Sequence, residues 1–328
     1  MTSIKRQNPF DPLYKLQDIR ASELKLEDLP EFPRILDVEL TNACNFKCLM
    51  CPTGAGTSSR EQGFMKEEDF YRILDEAKEY NTSIRFTVWG EPLLHHKIID
   101  FVKAIKSEGM MCHINTNGKR LSDKRISAFV EIPLDSIKFS MQGVDKDTFA
   151  EMRNIDYFDG LLVRIKRLYQ ARGNGLLPYI HIGTSITDET VEQCYQLKEM
   201  TSNICDYLSI GRTHFEFLDG FENSKKLKKK EKERLKNLIP KQTIKKEHLD
   251  CPEVFSKLTV YWDGRVTACC TDYDNLMPYG NIFDKSLKDI WHSSKANFYR
   301  KMLHNMRHPD LPLCSKCFGK LHQHPSPI

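Results

Sequence analysis

The feature that most constrains the fold of this chain is a regular alternation of short apolar strands and amphipathic helices between residues 35 and 211. Consecutive strands joined through helices pair in parallel, so the pattern predicts an α/β fold with helices outside a parallel sheet. Periodicity alone leaves a partial barrel and a doubly wound sheet equally open. The predicted strands cover residues 35–40, 83–88, 111–116, 136–141, 179–186 and 206–211, and the predicted helices cover 67–80, 97–107, 123–130, 158–172 and 189–200.

The composition and the predicted secondary structure also change along the chain. Prolines and charges at the start predict an extended arm, and the end predicts a hairpin over residues 257–270, turning at Asp263-Gly264, followed by a helix over 287–306. The predicted segments are an N-terminal arm (1–34), the βα units (35–220), a lysine-rich helical linker (221–250) and a small α+β module (251–328).

Composition and charge narrow the class of protein. The net charge is only +4, and no aromatic residues interleave the lysines between 225 and 246, so we interpret that run as an exposed helix face and expect no nucleic-acid partner. No stretch approaches the roughly 18 uninterrupted apolar residues of a membrane span. The first residues lack the apolar core of a signal peptide, and the expected location is the cytoplasm. Eleven cysteines, mostly in two groups, favour metal ligation over disulfides in that reducing compartment.

Three cysteines, Cys44, Cys48 and Cys51, follow the first predicted strand at C-x3-C-x2-C spacing. They fall on a loop at the carboxyl end of that strand, which is where α/β barrels place their chemistry. Thiolates ligate iron-sulfur clusters, and short loop spacings let three of them reach three corners of one cubane. The fourth iron then has no protein ligand, and an open position is typical of a catalytic metal site. A zinc knuckle is the alternative, although no histidine or fourth cysteine stands nearby.

This spacing resembles the hallmark of the radical S-adenosylmethionine (SAM) superfamily. The resemblance implies a partial (β/α)6 TIM-like barrel and a 4Fe-4S cluster on Cys44, Cys48 and Cys51, with SAM chelating the open iron. It also implies that one electron, typically from a flavodoxin or ferredoxin, cleaves SAM to methionine and a 5'-deoxyadenosyl radical that abstracts hydrogen from a substrate. Met50 stands where the family often has an aromatic residue near the adenine.

The segment after the second predicted strand resembles the superfamily's Gly-Gly-Glu-Pro motif, with Trp89 in place of the first glycine. The resemblance implies that Gly90, Glu91 and Pro92 contact the SAM amino group. Backbone carbonyls and a carboxylate suit an ammonium, and a glycine permits the close approach that a side chain would block.

Polar residues also end the later strands. Asn117 and Ser140, at the ends of the third and fourth strands, resemble SAM-contacting positions of the family, with Ser140 at the ribose. The alternative is ordinary turn chemistry. Arg212, just past the sixth strand, is a candidate partner for the SAM carboxylate or the substrate, although an arginine there is more often simply solvated.

The second cysteine group consists of Cys251, Cys269, Cys314 and Cys317. With the hairpin and the following helix, it resembles the shortened "twitch" form of the SPASM modules that hold auxiliary 4Fe-4S clusters, and the longer form needs additional cysteines. Four thiolates would close the cluster, which implies electron transfer or tuning of potential. A structural zinc site with four thiolates is the alternative.

Adjacent residues of a strand face opposite sides, so only one of Cys269 and Cys270 can easily ligate the cluster. We assign Cys269 by its spacing from Gly264. Cys270 is then either a catalytic thiol that donates a hydrogen atom to a substrate radical or a buried small hydrophobe.

Several functions remain open. We favour oxidation of a small sugar- or aminocyclitol-like substrate, with the electron passing to the auxiliary cluster. The alternatives are epimerisation with Cys270 as hydrogen donor, and peptide modification, whose enzymes often carry a peptide-recognition domain that an arm of 34 residues does not provide. A zinc-binding structural protein would leave the first cysteine group unexplained. The expected partners are a small-molecule substrate and a reductant, with no membrane.

Overall fold

The computed structural model describes residues 6–15, 19–239 and 251–317. The strands within them are β1 (Ile35–Val38), β2 (Ser83–Phe86), β3 (Cys112–Thr116), β4 (Ser136–Ser140), β5 (Tyr179–Ile186), β6 (Tyr207–Arg212), β7 (Lys257–Val260), β8 (Arg265–Thr267) and β9 (Pro278–Asn281). They form one sheet in the order β6-β5-β4-β3-β2-β1-β7-β8-β9. The first six pair in parallel in chain order, which confirms the predicted α/β fold as an open partial barrel.

Helices connect the parallel strands on the outside of the sheet. The α-helices of the described residues are α1 (Asp11–Lys15), α2 (Pro52–Ala55), α3 (Glu67–Glu79), α4 (Ile98–Ser107), α5 (Asp123–Glu131), α6 (Lys146–Arg153), α7 (Phe158–Arg172), α8 (Val191–Thr201), α9 (Lys229–Leu238), α10 (Leu287–Trp291) and α11 (Ser294–His304). None of these is long and apolar enough to cross a membrane. The single helix predicted over 287–306 is two, because Ser293 caps a new helix by accepting a hydrogen bond from the Ala296 backbone.

The two faces of the parallel strands differ in polarity. Outward-facing side chains are apolar and fully buried under the helices, as at Phe86, Ile114, Phe139 and Ile182. Inward-facing side chains at alternate positions are polar. Those at Thr87, Asn115, Lys138, His181 and Ser209 are half-buried, so the interior of the barrel is polar and reached by solvent.

The prediction that the N-terminal arm is extended is wrong in part, because the arm contains α1 and two short 3-10 turns. The reason is burial of aromatic side chains that flank and occupy α1. Phe10 is fully buried with its ring 5.6 Å from that of His113, and the Tyr14 hydroxyl lies 3.5 Å from Arg85 Nη1. Both partners face inward from β3 and β2, so the arm covers one end of the barrel interior.

The C-terminal module continues the sheet of the barrel. β7 pairs in parallel with β1, from Ile35 opposite Lys257 to Val38 opposite Val260. β7 and β8 form the predicted hairpin, in which Gly264 adopts a φ of +79° and its N–H donates to the Tyr261 carbonyl. β9, which was not predicted, extends it. α9 lies in the predicted lysine-rich linker, and residues 240–250 of that linker lie outside the described part. Residues 318–328, at the end of the predicted C-terminal module, also lie outside it.

Candidate active site

The loop that follows β1 carries Cys44, Cys48 and Cys51. Cys48 is 5% exposed, and the other two are half-buried. A Cβ on Gly54, in α2, would lie 2.4 Å from the Cys48 carbonyl oxygen, so only glycine allows α2 to pack against this loop. The Leu49 N–H donates to the Met152 carbonyl at 2.8 Å, which fixes the loop against α6.

The three thiols lie close enough for their charges to affect one another. Burial, together with the charges of Glu91, Cys48 and Cys51, raises the pKa of Cys44 to about 12, against a hydrogen bond from the Phe46 N–H. Burial also raises the pKa of Cys51, and the charge of Cys48 acts in the same direction. Thiolates can persist here only beside a compensating cation, as in an iron-sulfur cluster, so the donor set fits that group. Within the described ranges, no three Cys, His, Asp or Glu side chains converge on a single-ion site, whereas thiolates of one cubane bind different iron atoms.

Gly90 lies against the cysteine loop. Its φ is +81°, and a Cβ there would lie 2.2 Å from the Thr41 carbonyl oxygen. The next residue, Glu91, donates its backbone N–H to the Ala43 carbonyl at 2.9 Å, and Pro92 begins a short 3-10 turn. This close approach is the structural reason for a glycine at position 90.

The Glu91 carboxylate is 1% exposed and binds neighbouring loops. It accepts hydrogen bonds from Leu93 N at 2.9 Å, Thr116 Oγ1 at 2.6 Å and Asn117 N at 2.7 Å. Burial raises the pKa of Glu91, and these donors partly offset that effect. Glu91 therefore links the loops after β2 and β3. Its carboxylate already accepts hydrogen bonds from three groups of the protein.

Of the other predicted SAM contacts, Asn117 lies beside the cysteine loop. The Asn117 side-chain amide donates to Asn45 Oδ1 at 2.8 Å and lies 3.8 Å from Cys44 Sγ. Ser140 ends β4, half-buried on the inward face. Arg212, in contrast, lies exposed at the end of β6, and the structure gives it no contact with this loop.

Arg153, at the end of α6, was not predicted from the sequence. Its Nη1 lies 3.4 Å from Cys48 Sγ, and its Nη2 donates to the Ser140 carbonyl at 2.6 Å. Its Nε is buried with no hydrogen-bond partner among the described residues. Arg153 thus places a guanidinium between the cysteine loop and β4. The sequence did contain a sign of the helix that carries Arg153, because Asp145 and Thr148 form a capping box at the start of α6.

The cysteines of the second group also affect one another and a shared neighbour electrostatically. Burial raises the pKa of Cys314, and the charges of Cys251 and Cys317 raise it further. Burial likewise raises the pKa of Tyr279, with the charges of Cys269 and Cys314 acting in the same direction. The Tyr279 hydroxyl is buried and has no hydrogen-bond partner in the described part of the chain. Clustered thiols beside an unsatisfied donor fit an iron-sulfur cluster whose sulfur atoms accept hydrogen bonds.

Cys270 interacts electrostatically with an arginine of the barrel interior. Burial disfavours the charged form of Arg85, while the charges of Asp37, Tyr14 and Cys270 raise its pKa. Arg85 itself faces inward from β2 and donates to Asp37 at 2.6 and 2.8 Å. The charges of Cys269 and Cys270 therefore act on different groups, Tyr279 and Arg85 respectively.

A hydrogen bond joins the two cysteine regions. Trp89 Nε1, just before Gly90, donates to the Asp272 carbonyl at 3.1 Å, and the Asp272 N–H donates to the Cys269 carbonyl at 3.0 Å. The tryptophan that replaces the first glycine of the motif thus links the loop after β2 to the turn that carries Cys269.

Comparison with known families identifies both regions. Residues 38–197 match the model of the Radical SAM superfamily, and residues 251–318 match the SPASM model, an iron-sulfur cluster-binding domain. A curated relative is the tungsten-containing aldehyde ferredoxin oxidoreductase cofactor-modifying protein of Pyrococcus furiosus. It is 26% identical over 318 residues, which cover 86% of this chain and 87% of the relative.

Solved structures share the fold. The crystal structure of BtrN in complex with AdoMet and 2-DOIA superposes with a TM-score of 0.56 at 21% identity, covering 87% of this chain and 93% of BtrN. Streptococcus suis SuiB bound to S-adenosylmethionine gives a TM-score of 0.65 at 18% identity, covering 92% of this chain and 75% of SuiB. SuiB has also been solved with the precursor peptide SuiA.

Proposed function

Since this chain belongs to the radical SAM superfamily and carries a C-terminal SPASM iron-sulfur module, we propose that it abstracts hydrogen from a small polar substrate inside the barrel and oxidises it. The observation that carries the proposal is the position of the loop with Cys44, Cys48 and Cys51. It lies at the carboxyl ends of strands whose inward face is polar and reached by solvent. A radical generated at that loop would meet a substrate held by this face.

The bound cluster and SAM supply one chemistry, the reductive cleavage of SAM to a 5'-deoxyadenosyl radical. Cys44, Cys48 and Cys51 would hold the cluster. The backbone near Gly90 offers carbonyl groups to the SAM ammonium, and Arg153, beside Ser140 and Cys48, offers a guanidinium to its carboxylate. We assign this carboxylate role to Arg153 in preference to Arg212, which is exposed.

The second cysteine group supports oxidation as the outcome. A cluster closed by Cys251, Cys269, Cys314 and Cys317 has no open position for a substrate, so its use is to accept an electron. BtrN was solved with 2-DOIA and SuiB with a precursor peptide, so the shared fold accommodates both classes of ligand. The charged and hydroxyl-bearing side chains of the interior favour a small polar molecule here.

The test of this function is SAM cleavage. The purified protein, reconstituted anaerobically with iron and sulfide, is incubated with SAM and dithionite, and 5'-deoxyadenosine is measured by chromatography. We expect 5'-deoxyadenosine that depends on both dithionite and protein. If none forms with fully loaded protein, the proposed function is wrong.

Replacing Cys314 with alanine tests the second cluster. We expect about eight iron atoms per chain in the reconstituted protein and about four in the Cys314→Ala variant, because one cubane loses a ligand. Cys194→Ala, at a buried cysteine of α8, is the matched control and should keep the full iron content. Zinc in the wild-type protein, with about four iron atoms per chain, would contradict an auxiliary iron-sulfur cluster.

Epimerisation is the second candidate, and the electrostatic interaction of Cys270 with Arg85, which faces inward from β2, supports it. If the reaction is oxidation, Cys270→Ala should still form product in step with 5'-deoxyadenosine. If Cys270 returns the hydrogen atom, its thiyl radical takes one electron from the reductant and one proton from solvent to restore the thiol. The alanine variant should then consume SAM and yield radical-derived side products in place of the epimer. Product analysis by mass spectrometry in deuterated buffer separates these outcomes, because a thiol hydrogen exchanges with solvent.

A further inference from the structure

The last strand of the sheet contains an extra residue, Tyr279. In the ladder between β8 and β9, Thr267 lies opposite Pro278. The next pair joins Val266 to Gly280, so Tyr279 has no partner on β8. An extra residue of this kind is a β-bulge, which changes the direction of its side chain relative to a regular strand. Here the side chain is directed into the module, because Tyr279 is 6% exposed.

The phenol hydroxyl of Tyr279 is not needed for packing. Its ring stacks on the ring of Tyr299, with the two centroids 5.8 Å apart, and a phenylalanine would keep that contact. The hydroxyl itself is buried without a hydrogen-bond partner in the ranges that the structure describes. Nearly all buried polar groups are paired, so an unpaired one indicates a ligand or a functional role.

Cysteines of the second group border the same part of the module. Cys314 Sγ lies 3.7 Å from Met277 Sδ, and Met277 is two positions before Tyr279. Ala268, next to Cys269, donates its backbone N–H to the Met277 carbonyl at 3.2 Å. The charges of Cys269 and Cys314 also act on Tyr279. The unpaired hydroxyl is therefore close to two proposed ligands of the auxiliary cluster.

A buried arginine, Arg300 of α11, also acts on Tyr279. Arg300 is fully buried, and its Nε donates to the Val254 carbonyl at 2.9 Å, three positions after Cys251. Its Nη1 donates to the Trp291 carbonyl at 2.7 Å, and its Cζ lies 4.0 Å from the centre of the Trp291 ring. Its Nη2 is buried with no hydrogen-bond partner among the described residues. These contacts hold the guanidinium in place and leave one N–H group unused.

The guanidinium keeps its charge in this position. Burial lowers the pKa of Arg300 to about 10, which is still well above neutral pH. A 4Fe-4S cluster bound by four thiolates is negatively charged, and reduction adds one more negative charge. A nearby positive charge, or a hydrogen bond to a cluster sulfur, therefore stabilises the reduced form more than the oxidised form and raises the reduction potential.

We propose that the Tyr279 hydroxyl donates a hydrogen bond to a sulfur of the auxiliary cluster, and that Arg300 supplies a positive charge beside it. Together these two positioning residues raise the reduction potential of that cluster. In the oxidation, the substrate radical gives one electron to the cluster and one proton to solvent, and a higher potential favours this transfer. The proposal rests on the proposed function and deepens it by naming the residues that make the second cluster an electron acceptor.

The test is a redox titration of the anaerobically reconstituted full-length protein, followed by electron paramagnetic resonance. The signal of the auxiliary cluster is the one that is missing from Cys314→Ala. In Tyr279→Phe we expect the equilibrium constant for one-electron reduction of this cluster to fall about tenfold, which lowers its midpoint potential by about 59 mV. The cause is loss of a hydrogen bond that favours the reduced form. The cluster on the first cysteine group should keep its midpoint potential.

Tyr80→Phe is the matched control for this variant. It removes the same hydroxyl from a site where the hydroxyl lies 3.0 Å from Lys288 Nζ, and both midpoint potentials should stay unchanged. Substitutions of Arg300 test the charge separately. Arg300→Met should lower the potential of the auxiliary cluster, whereas Arg300→Lys keeps the charge and should lower it less. If Arg300→Met does not fold, Tyr279→Phe still tests the proposal.

A second measurement detects the hydrogen bond itself. Electron-nuclear double resonance of the reduced auxiliary cluster, recorded in H2O and D2O, should show one exchangeable proton fewer in Tyr279→Phe than in the wild-type protein. An unchanged midpoint potential in Tyr279→Phe, an unchanged set of exchangeable protons, or zinc in place of the cluster would overturn the proposal. Since neither measurement needs SAM cleavage or a substrate, the proposal fails independently of the 5'-deoxyadenosine assay.

Discussion

Replacing Cys51 with alanine is expected to abolish the formation of 5'-deoxyadenosine from SAM. The charges of Cys44, Cys48 and Cys51 act on one another, and a cubane bound by only two of these thiolates would lose one of its three protein ligands. We also expect the iron content of the reconstituted variant to fall by about four atoms per chain. Chromatography and iron analysis of the same preparation measure both effects.

Cys112 offers the matched control for this variant. It is fully buried in β3, and its side chain packs in the apolar core outside the barrel. Cys112→Ala should lose some stability but retain both the iron and SAM cleavage. Full SAM cleavage by Cys51→Ala, or its loss in both variants with the iron retained, would refute the assignment of Cys51 as a cluster ligand.

Gly90→Ala is expected to be the most damaging single-methyl substitution near the site. The new Cβ would lie 2.2 Å from the Thr41 carbonyl oxygen, at a φ of +81° that side chains rarely adopt. Strain and backbone overlap together should lower the free energy of unfolding by about 3 kcal/mol or more. The displaced loop also carries Cys44, so iron binding should fall with stability.

The variant Gly109→Ala measures the cost of the backbone conformation without the cost of the overlap with Thr41. The φ of Gly109 is +72°, close to that of Gly90, but a Cβ there meets no atom within 4 Å. Gly109→Ala should therefore cost only about 1 kcal/mol, from the backbone conformation alone. Urea unfolding of both variants measures the difference, and equal losses would show that the contact with Thr41 has no energetic weight.

Local patterns predicted the strands of the barrel and the hairpin at Gly264, because strand periodicity and turn chemistry act between near neighbours in sequence. Contacts between distant segments were not predictable in this way. Arg153 reaches Cys48 across 105 positions of the chain, and its helix α6 is too short to show an apolar period. The engagement of Glu91 by Thr116 is equally non-local.

The polar interior of the barrel is visible in the sequence as polar residues within the predicted strands, which the assignment by periodicity did not use. Strands buried on both faces in a parallel sheet read as nearly continuous apolar runs. Here Arg85, Lys138 and His181 interrupt such runs at alternate positions, and each faces inward. A charged residue at an alternate position of a predicted parallel strand thus indicates a solvated or ligand-facing side. Which neighbours neutralise that charge depends on the assembled barrel.

The parallel ladder between β1 and β7 has a consequence for assembly of the enzyme. β1 leads directly into the loop of the first cysteine group, and β7 leads through the hairpin to Cys269. The relative position of the two cysteine groups is therefore fixed in part by the backbone hydrogen bonds of one sheet. The C-terminal module should therefore melt together with the barrel in one cooperative transition.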